Sequence, residues 1–437
     1  MIKNGSNPVI TAAPWSKPFT MMAKPGGAVC NMQCDYCYYL DKINRYKERQ
    51  KTQLSYIMSD GLLELFIRNY IASQPSNSVS FIWHGGESLL MPKSFYQRVV
   101  ELQNKYAGGK TVENALQTNG LLIDEDWCRF FKENHFLVGI SLDGNERQHN
   151  RFRKSAGGQH TFQRVMRAIE MMQRFDVSFN VLSTINSFNA DDPVGYYSFL
   201  KGIGVQYIQF TPIVERLDVK NPDKHAFVSP PDPRKYDSYF YRNKDIYLSS
   251  HSVRPDQWGY FLINIFDQWV RCDVGSVFVQ LFDAVLANWV GVEPGLCSMA
   301  RHCGRGGVVE WNGDIYSCDH YVFPDFYLGN LKEHNLFDLM HTDEQLSFGK
   351  AKYDSLPDRC MQCQYLFACH GECPKNRISY TSAGEPGLNY LCAGYYRFFE
   401  HVAPCMDYMK EKLLKGQSPA DIMEWMKSDK KEDEKYQ

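Results

Sequence analysis

The sequence predicts an α/β protein whose first half is a parallel sheet or partial barrel and whose second half is rich in cysteine. Three observations carry this. Six strand-like segments alternate with amphipathic helical patterns between residues 18 and 212, an Asn-Gly hairpin signal stands at 312–313, and eight of the fourteen cysteines fall between 297 and 392.

The strand candidates are FTMMAK (19–24), SVSFIWH (78–84), TVENALQT (111–118), FLVGISL (136–142), VSFNVLST (177–184) and VQYIQFTP (205–212). Each is rich in β-branched or aromatic residues. Between them, SDGLLELFIRNYIA, PKSFYQRVVELQNKYA, DEDWCRFFKEN, HTFQRVMRAIEMMQRF and ADDPVGYYSFLKGI place apolar residues at helical spacing, with Ser59 and Asp124 positioned as N-caps. Barrels of such units gather chemistry at the carboxyl ends of their strands. Residues 214–256, including NPDKHAFVSPPDPRKYD, are polar and without period, which predicts a linker or surface insertion. PDQWGYFLINIFDQWVRC and FVQLFDAVLANWV predict two amphipathic helices, and SDKKEDEKYQ a solvated, frayed tail. The expected organisation is a barrel over 1–230, a linker with bridging helices over 231–296, a cysteine-rich domain over 297–400 and C-terminal helices with a tail over 401–437.

A chain of 437 residues with 44% hydrophobic content can build two or three ordinary cores. A net charge of -2 and a pI of 6.6 give no field for nucleic acid or an anionic membrane, so neither partner is expected. No charged segment followed by an apolar core opens the chain, and no apolar run reaches about 18 residues, so a cytoplasmic location is expected. In that setting fourteen cysteines read as metal ligands rather than a disulfide framework. Cys128, Cys272 and Cys405 lie in helical patterns and read as packed thiols.

Cys30, Cys34 and Cys37 follow the first strand and the KPGGAV loop. Their spacing would fit one face of a helix, but the interleaved polar residues of NMQCDYCYY argue against a buried stripe. Structural zinc takes four ligands, and no fourth lies near; the closest histidine in sequence is His84. Three thiolates on a four-iron cubane leave one iron open to a small molecule, whereas clusters that only carry electrons are normally held by four cysteines. FIWHGGES ends the second strand with Gly85, Gly86 and Glu87, where glycine admits close backbone approach and a carboxylate can pair with an ammonium.

Further on, Asn312-Gly313 predicts a two-residue hairpin turn with both residues at positive φ, expected to bring Cys303 and Cys318 together. CMQCQYLFACHGECPKN and NYLCAG add Cys360, Cys363, Cys369, Cys373 and Cys392. With Cys297 these make two sets of four, enough for two fully ligated four-iron clusters or for two zinc sites.

The C-x3-C-x2-C pattern of CNMQCDYC, with an aromatic before its last cysteine, resembles the signature of radical S-adenosylmethionine enzymes. The resemblance implies a partial (β/α)6 TIM-like barrel and a first 4Fe-4S cluster whose open iron chelates S-adenosyl-L-methionine. It further implies that Gly86 and Glu87 serve the methionine end, Ser141 of GISLDG the ribose, Arg153 of NRFRKS the carboxylate, and Tyr36 and Leu182 the adenine. The family often has proline where this chain has Ser88. The late order C-x9-G-x4-C, C-x2-C-x5-C-x3-C and a last C resembles the SPASM extension. That likeness implies one auxiliary cluster on Cys297, Cys303, Cys318 and Cys373 and another on Cys360, Cys363, Cys369 and Cys392, three 4Fe-4S clusters in all. From CDYCYYLDK through WHGGES, LQTNG, SLDG, YIQFTPIVER, GDIYSCDHYVFP, CPKNR and GEPGLNYLC, nearly the whole chain resembles anaerobic sulfatase-maturating enzymes of the Bacteroides type.

What that last likeness implies is oxidation of a Cys or Ser in a sulfatase's C/S-x-P-x-R segment to Cα-formylglycine. Asp319 would be the general base, and a flavodoxin or ferredoxin the electron donor. Tyr39 and His84 are candidates for the pocket wall or for a packed aromatic and a satisfied core histidine. The alternatives are another SPASM peptide modifier, forming a thioether or crosslink, and a non-catalytic zinc-binding interaction scaffold.

Overall fold

The computed structural model describes residues 17–40, 42, 56–218, 227–236 and 246–433. Residues 219–226 and 237–245 of the expected insertion, 434–437 of the expected tail, and the start of the chain up to residue 16 lie outside the described residues. The chain divides into two compact units. One comprises Met1–Ser141, Phe152–Phe179 and Gly304–Lys350, the other Leu142–Arg151, Asn180–Cys303 and Ala351–Gln437.

In the first unit, strands β1 (Thr20–Lys24), β2 (Ser78–Trp83), β3 (Thr111–Thr118) and β4 (Phe136–Ser141) lie parallel in sequence order. Helices α1 (Asp60–Ser73), α2 (Lys93–Tyr106) and α3 (Glu125–Glu133) connect them. Both expected caps form: Ser59 Oγ accepts from the Leu62 N–H, and Asp124 Oδ1 accepts from the Trp127 N–H at 2.8 Å. On β2 the alternation buries Val79, Phe81 and Trp83. Phe81 and Trp83 stack at 5.8 Å, meeting Phe66 and Tyr70 of α1 and Tyr96 of α2 edge-on. The polar edge of this apolar layer is satisfied internally, since the Trp83 indole N–H donates to Asn114 Oδ1 at 2.8 Å.

One pairing has no forerunner in the sequence. Strand β10 (Gly306–Glu310) lies parallel to β1 on the side opposite β2, in register from Thr20↔Gly306 to Lys24↔Glu310. Strands β11 (Asp314–Tyr316) and β12 (Tyr327–Asn330) follow antiparallel beyond it. The β10–β11 hairpin exists as expected, but its turn differs: only Gly313 has positive φ, at 95°, and Asn312 does not. The Gly313 N–H donates to the Glu310 carbonyl at 3.0 Å, so a turn through Trp311 and Asn312 precedes a left-handed glycine. That is the three-residue hairpin loop, one residue longer than the expected turn.

In the second unit, β5 (Phe179–Ile185) and β6 (Tyr207–Pro212) pair in parallel, and the short β9 (Phe278–Val279) extends them beside β6. Within the expected insertion, β7 (Arg216–Asp218) and β8 (Ile246–Leu248) form an antiparallel ribbon. Two long helices make the core: α4 (Pro255–Cys272), which matches its expected bounds, and α5 (Cys392–Leu414). They cross at glycines. A Cβ on Gly394 would stand 2.2 Å from the Pro255 carbonyl, and one on Gly259 would stand 2.9 Å from Gly394. Cys128 and Cys405 are buried as expected, whereas Cys272, at the end of α4, is exposed, because the helix's apolar face ends at Val270. Among the described residues no helix is long and apolar enough to cross a membrane.

Candidate active site

Strand β1 ends at Lys24, and the next turn is closed by the Gly27 N–H donating to the Lys24 carbonyl at 3.0 Å. The loop beyond carries Cys30, Cys34 and Cys37, none of them in a disulfide. Cys30 Sγ accepts from the Met32 N–H at 3.3 Å and from the Asn119 amide at 3.7 Å. Burial pushes the Cys30 thiol up to about 12; the Met32 N–H works against this, while Glu87 and Cys37 add to it. Burial likewise raises Cys37, opposed by hydrogen bonds from the Tyr39 and Leu40 backbone and by the charges of Arg153 and Lys24. Such thiols stay protonated unless a metal supplies positive charge, and that donor set fits an iron cluster.

The Gly-Gly-Glu turn is built against this loop. The Gly86 N–H donates to the Gly27 carbonyl at 2.8 Å and the Glu87 N–H to the Val29 carbonyl at 2.9 Å. A Cβ on Gly86 would stand 2.2 Å from the Val29 carbonyl, so the glycine makes room for the cysteine loop itself. Glu87 is buried and accepts three hydrogen bonds: from the Leu89 N–H at 2.9 Å, the Thr118 hydroxyl at 2.7 Å and the Asn119 N–H at 2.8 Å. Burial raises its carboxyl above the ordinary value, and these donors only partly compensate. Three of roughly four lone-pair sites are thus occupied, leaving room for one more donor. Ser141, at the end of β4, accepts from the Gln117 amide at 3.0 Å. The Arg153 guanidinium lies 5.5 Å from the Tyr36 ring centroid, which also meets Phe152 edge-on. Leu182 sits on β5 in the second unit, where its carbonyl accepts from the Leu142 N–H.

Asp319 follows Cys318 just past β11, and the first unit closes around it. The buried Lys24 ammonium contacts Oδ1, and the Tyr38 hydroxyl donates to Oδ2. Burial alone would raise this carboxyl; the Lys24 charge first, joined at low pH by the charges of His84 and His320, reverses that and holds it well below the usual carboxylate range. His84 itself is lowered to about 4, by burial first and then by the Lys24 charge, so it is neutral at physiological pH. Lys24 Nζ also lies 3.5 Å above the Tyr39 ring centroid, and the Tyr39 hydroxyl donates to the buried Glu310. Tyr39 is therefore a packed, hydrogen-bonded aromatic. Sequence reasoning missed Lys24, Tyr38, Asn119 and Glu310. Lys24, Tyr38 and Asn119 sit inside quoted segments and Glu310 just before the expected turn, but the partner of each lies far away in the chain.

The late cysteines form no disulfides either. Charge coupling sorts those of the second unit into two groups. Cys303 and Cys373 both feel Cys297, while Cys360 feels Cys392 and Cys363, and Cys369 feels Cys392 and Cys360. The second group is the expected set of four, and the first is the expected set apart from Cys318. As the side chains stand, no group of three or more His, Cys, Asp or Glu among the described residues is arranged to hold a metal ion.

Comparison with known proteins agrees with this donor chemistry. Residues 25–200 match the radical SAM superfamily and residues 301–364 the SPASM iron-sulfur cluster-binding domain; Cys369, Cys373 and Cys392 lie beyond the second match. The chain is thus a radical SAM enzyme with an iron-sulfur SPASM region. It is 51% identical, over 95% of its length and 97% of the relative's, to a serine-type anaerobic sulfatase-maturating enzyme of Bacteroides thetaiotaomicron. A cysteine-type anaerobic sulfatase-maturating enzyme of Clostridium perfringens strain 13 is 30% identical, over 89% of this chain and 97% of its own. Native anSMEcpe with bound AdoMet and the Cp18Cys peptide superimposes with a TM-score of 0.76 at 30% identity, covering 91% of this chain and 100% of that one. This chain belongs to the anaerobic sulfatase-maturating enzymes.

Proposed function

We propose that this chain oxidises a Cys or Ser side chain in a sulfatase's C/S-x-P-x-R segment to Cα-formylglycine. The observation that carries the reading is Lys24. One buried ammonium at the end of β1 contacts Asp319 and also bears on Cys37, so the candidate base and the three-cysteine loop share one strand end. Cys30, Cys34 and Cys37 would hold the first cluster. Gly86, Glu87, Ser141, Arg153, Tyr36 and Leu182 would hold S-adenosyl-L-methionine, with Glu87 offering its remaining lone-pair site to the amino group. Cys297, Cys303, Cys318 and Cys373 would hold one auxiliary cluster and Cys360, Cys363, Cys369 and Cys392 the other. When bound, these groups supply a carbon-centred 5'-deoxyadenosyl radical to remove the Cβ hydrogen and an outlet for the second electron.

The chain's own part is positional. Lys24 and Tyr38 fix the two oxygens of Asp319, which accepts the thiol or hydroxyl proton as the C–S or C–O bond gains double-bond character. A carboxylate held this far below its ordinary range is a weak base, so the proton must leave as the electron leaves, when the heteroatom is most acidic. His84, neutral and beside this group, adds bulk without charge. For a Cys target, water then exchanges for sulfur. A flavodoxin or ferredoxin reducing the first cluster and a cytoplasmic site of action belong to the same reading.

The test is anaerobic loading with iron and sulfide, followed by mass spectrometry of a peptide bearing the segment. A Ser peptide should lose two hydrogens, and a Cys peptide should lose two hydrogens and exchange sulfur for oxygen. Cosubstrate cleavage without either change would sink the reading.

A further inference from the structure

Lys352, near the C-terminal end of the helix Asp343–Asp354, is fully buried and has no part in the chemistry above. Its Nζ donates to three backbone carbonyls of one short loop: Cys297 at 2.7 Å, Ser298 at 2.7 Å, and Ala300. Three acceptors need three N–H bonds, and among the forms of a lysine only the ammonium has them. The geometry therefore fixes a positive charge in the interior. Burial works against that charge, while the thiolates of Cys303, Cys297 and Cys373 work for it and Arg377 opposes it. Lys352 in turn favours the thiolate at Cys297, Cys303 and Cys373. At Cys360 the cations that count are Arg377 and Arg359, and at Cys392 Arg359.

A buried cation beside three thiolates, Cys297, Cys303 and Cys373, does more than tie down a loop. Adding one electron to a cluster adds one negative charge, and a fixed cation stabilises the reduced form more than the oxidised form. We infer that Lys352 is a positioning residue that raises the reduction potential of the cluster on Cys297, Cys303 and Cys373, and so makes that cluster the acceptor of the second electron. The inference rests on the proposed ligand sets. In the oxidation, the substrate carbon radical would lose one electron as its heteroatom proton passes to Asp319, and that electron would pass to the cluster that Cys297, Cys303 and Cys373 would help to hold, so charge and atoms balance without a further oxidant.

The experiment is an anaerobic redox titration followed by electron paramagnetic resonance on protein carrying Cys30→Ala, Cys34→Ala and Cys37→Ala, so that only the auxiliary clusters report. Lys352→Met should move one of the two midpoint potentials downward, by on the order of tenfold in the reduction equilibrium, ~59 mV for a one-electron couple. The other should stay in place, and Lys352→Arg should restore most of the shift. Fully iron-loaded Lys352→Met with both potentials unchanged overturns the inference. If the Met variant does not load iron, Lys352→Gln replaces it as a neutral donor. Should both neutral variants fail to load while Arg loads, the residue is structural and the inference also falls. The ligand sets are tested separately by iron content: about eight irons per chain are expected in this background, and a chain without them defeats the cluster reading rather than the role of Lys352.

Discussion

A buried and a half-buried carboxylate in the first unit show how one functional group is given two characters. Glu87, after β2, is met only by neutral donors: two backbone N–H groups and a hydroxyl. Asp319, after β11, is met by an ammonium and a phenol. Both are largely shielded from water, yet burial wins at Glu87, whose carboxyl rises, and the Lys24 charge wins at Asp319, whose carboxyl falls. Hydrogen bonds from neutral groups brace a carboxylate in place, whereas a paired cation keeps it ionised and available to reacting atoms. Glu87 is thus read as scaffold and ligand, Asp319 as the site of proton transfer.

The strongest way to break this contrast is Asp319→Asn. It should lower peptide oxidation by ~10²–10⁴-fold while leaving cosubstrate binding intact, as read by single-turnover assay and equilibrium binding. Unchanged turnover would remove Asp319 from the chemistry. Next is Lys24→Met, which leaves Asp319 without its cation. Denaturant unfolding should show a loss of roughly 2–4 kcal/mol, toward the lower part of the range for a broken buried pair because the Asp319 side chain is 18% exposed. Glu87→Gln should cost ~1–3 kcal/mol, since an amide nitrogen facing either the Asn119 N–H or the Thr118 hydroxyl leaves a buried donor without an acceptor. Its kinetic effect should fall on cosubstrate affinity and not on the rate from the loaded complex, the reverse of Asp319→Asn.

The smallest effect expected is a pH slope at His84. Its folded pKa of about 4 lies below the ordinary ~6.5, so the unfolded chain binds more protons between these values. Stability should therefore fall as pH drops through that window, by at most ~1.4 kcal/mol per pH unit. His84→Gln should flatten the slope between pH 6.5 and 5; an identical slope would show that His84 is not the group titrating.

What the sequence could reveal follows from the reach of each signal. The six parallel strands and their helices were legible because apolar period and caps such as Ser59 and Asp124 act within a few residues. The three-cysteine region and the cysteine-rich second half were legible because thiols are rare and their spacings distinctive. The turn at Asn312-Gly313 was half legible: the dipeptide marks a hairpin, but loop length depends on where β11 finds its register, Val309 opposite Ile315. Lys24 was not legible at all. In FTMMAK it reads as the polar end of a strand, and its burial depends on Asp319, 295 residues away. Tyr38, 281 residues from the same carboxylate, was hidden for the same reason. Pairs at such separation leave no mark on local pattern, yet they decide which of two carboxyls is held below its ordinary range.

The parallel pairing of β1 with β10 has a practical consequence for dissecting the molecule. A fragment cut before residue 297 would keep the cysteine loop, but it would strip five residues of β1 of their hydrogen-bonding neighbour. The bare strand, which carries Met21 and Ala23, would be free to capture another copy, and preparations of such a piece should clump before they can be loaded with metal.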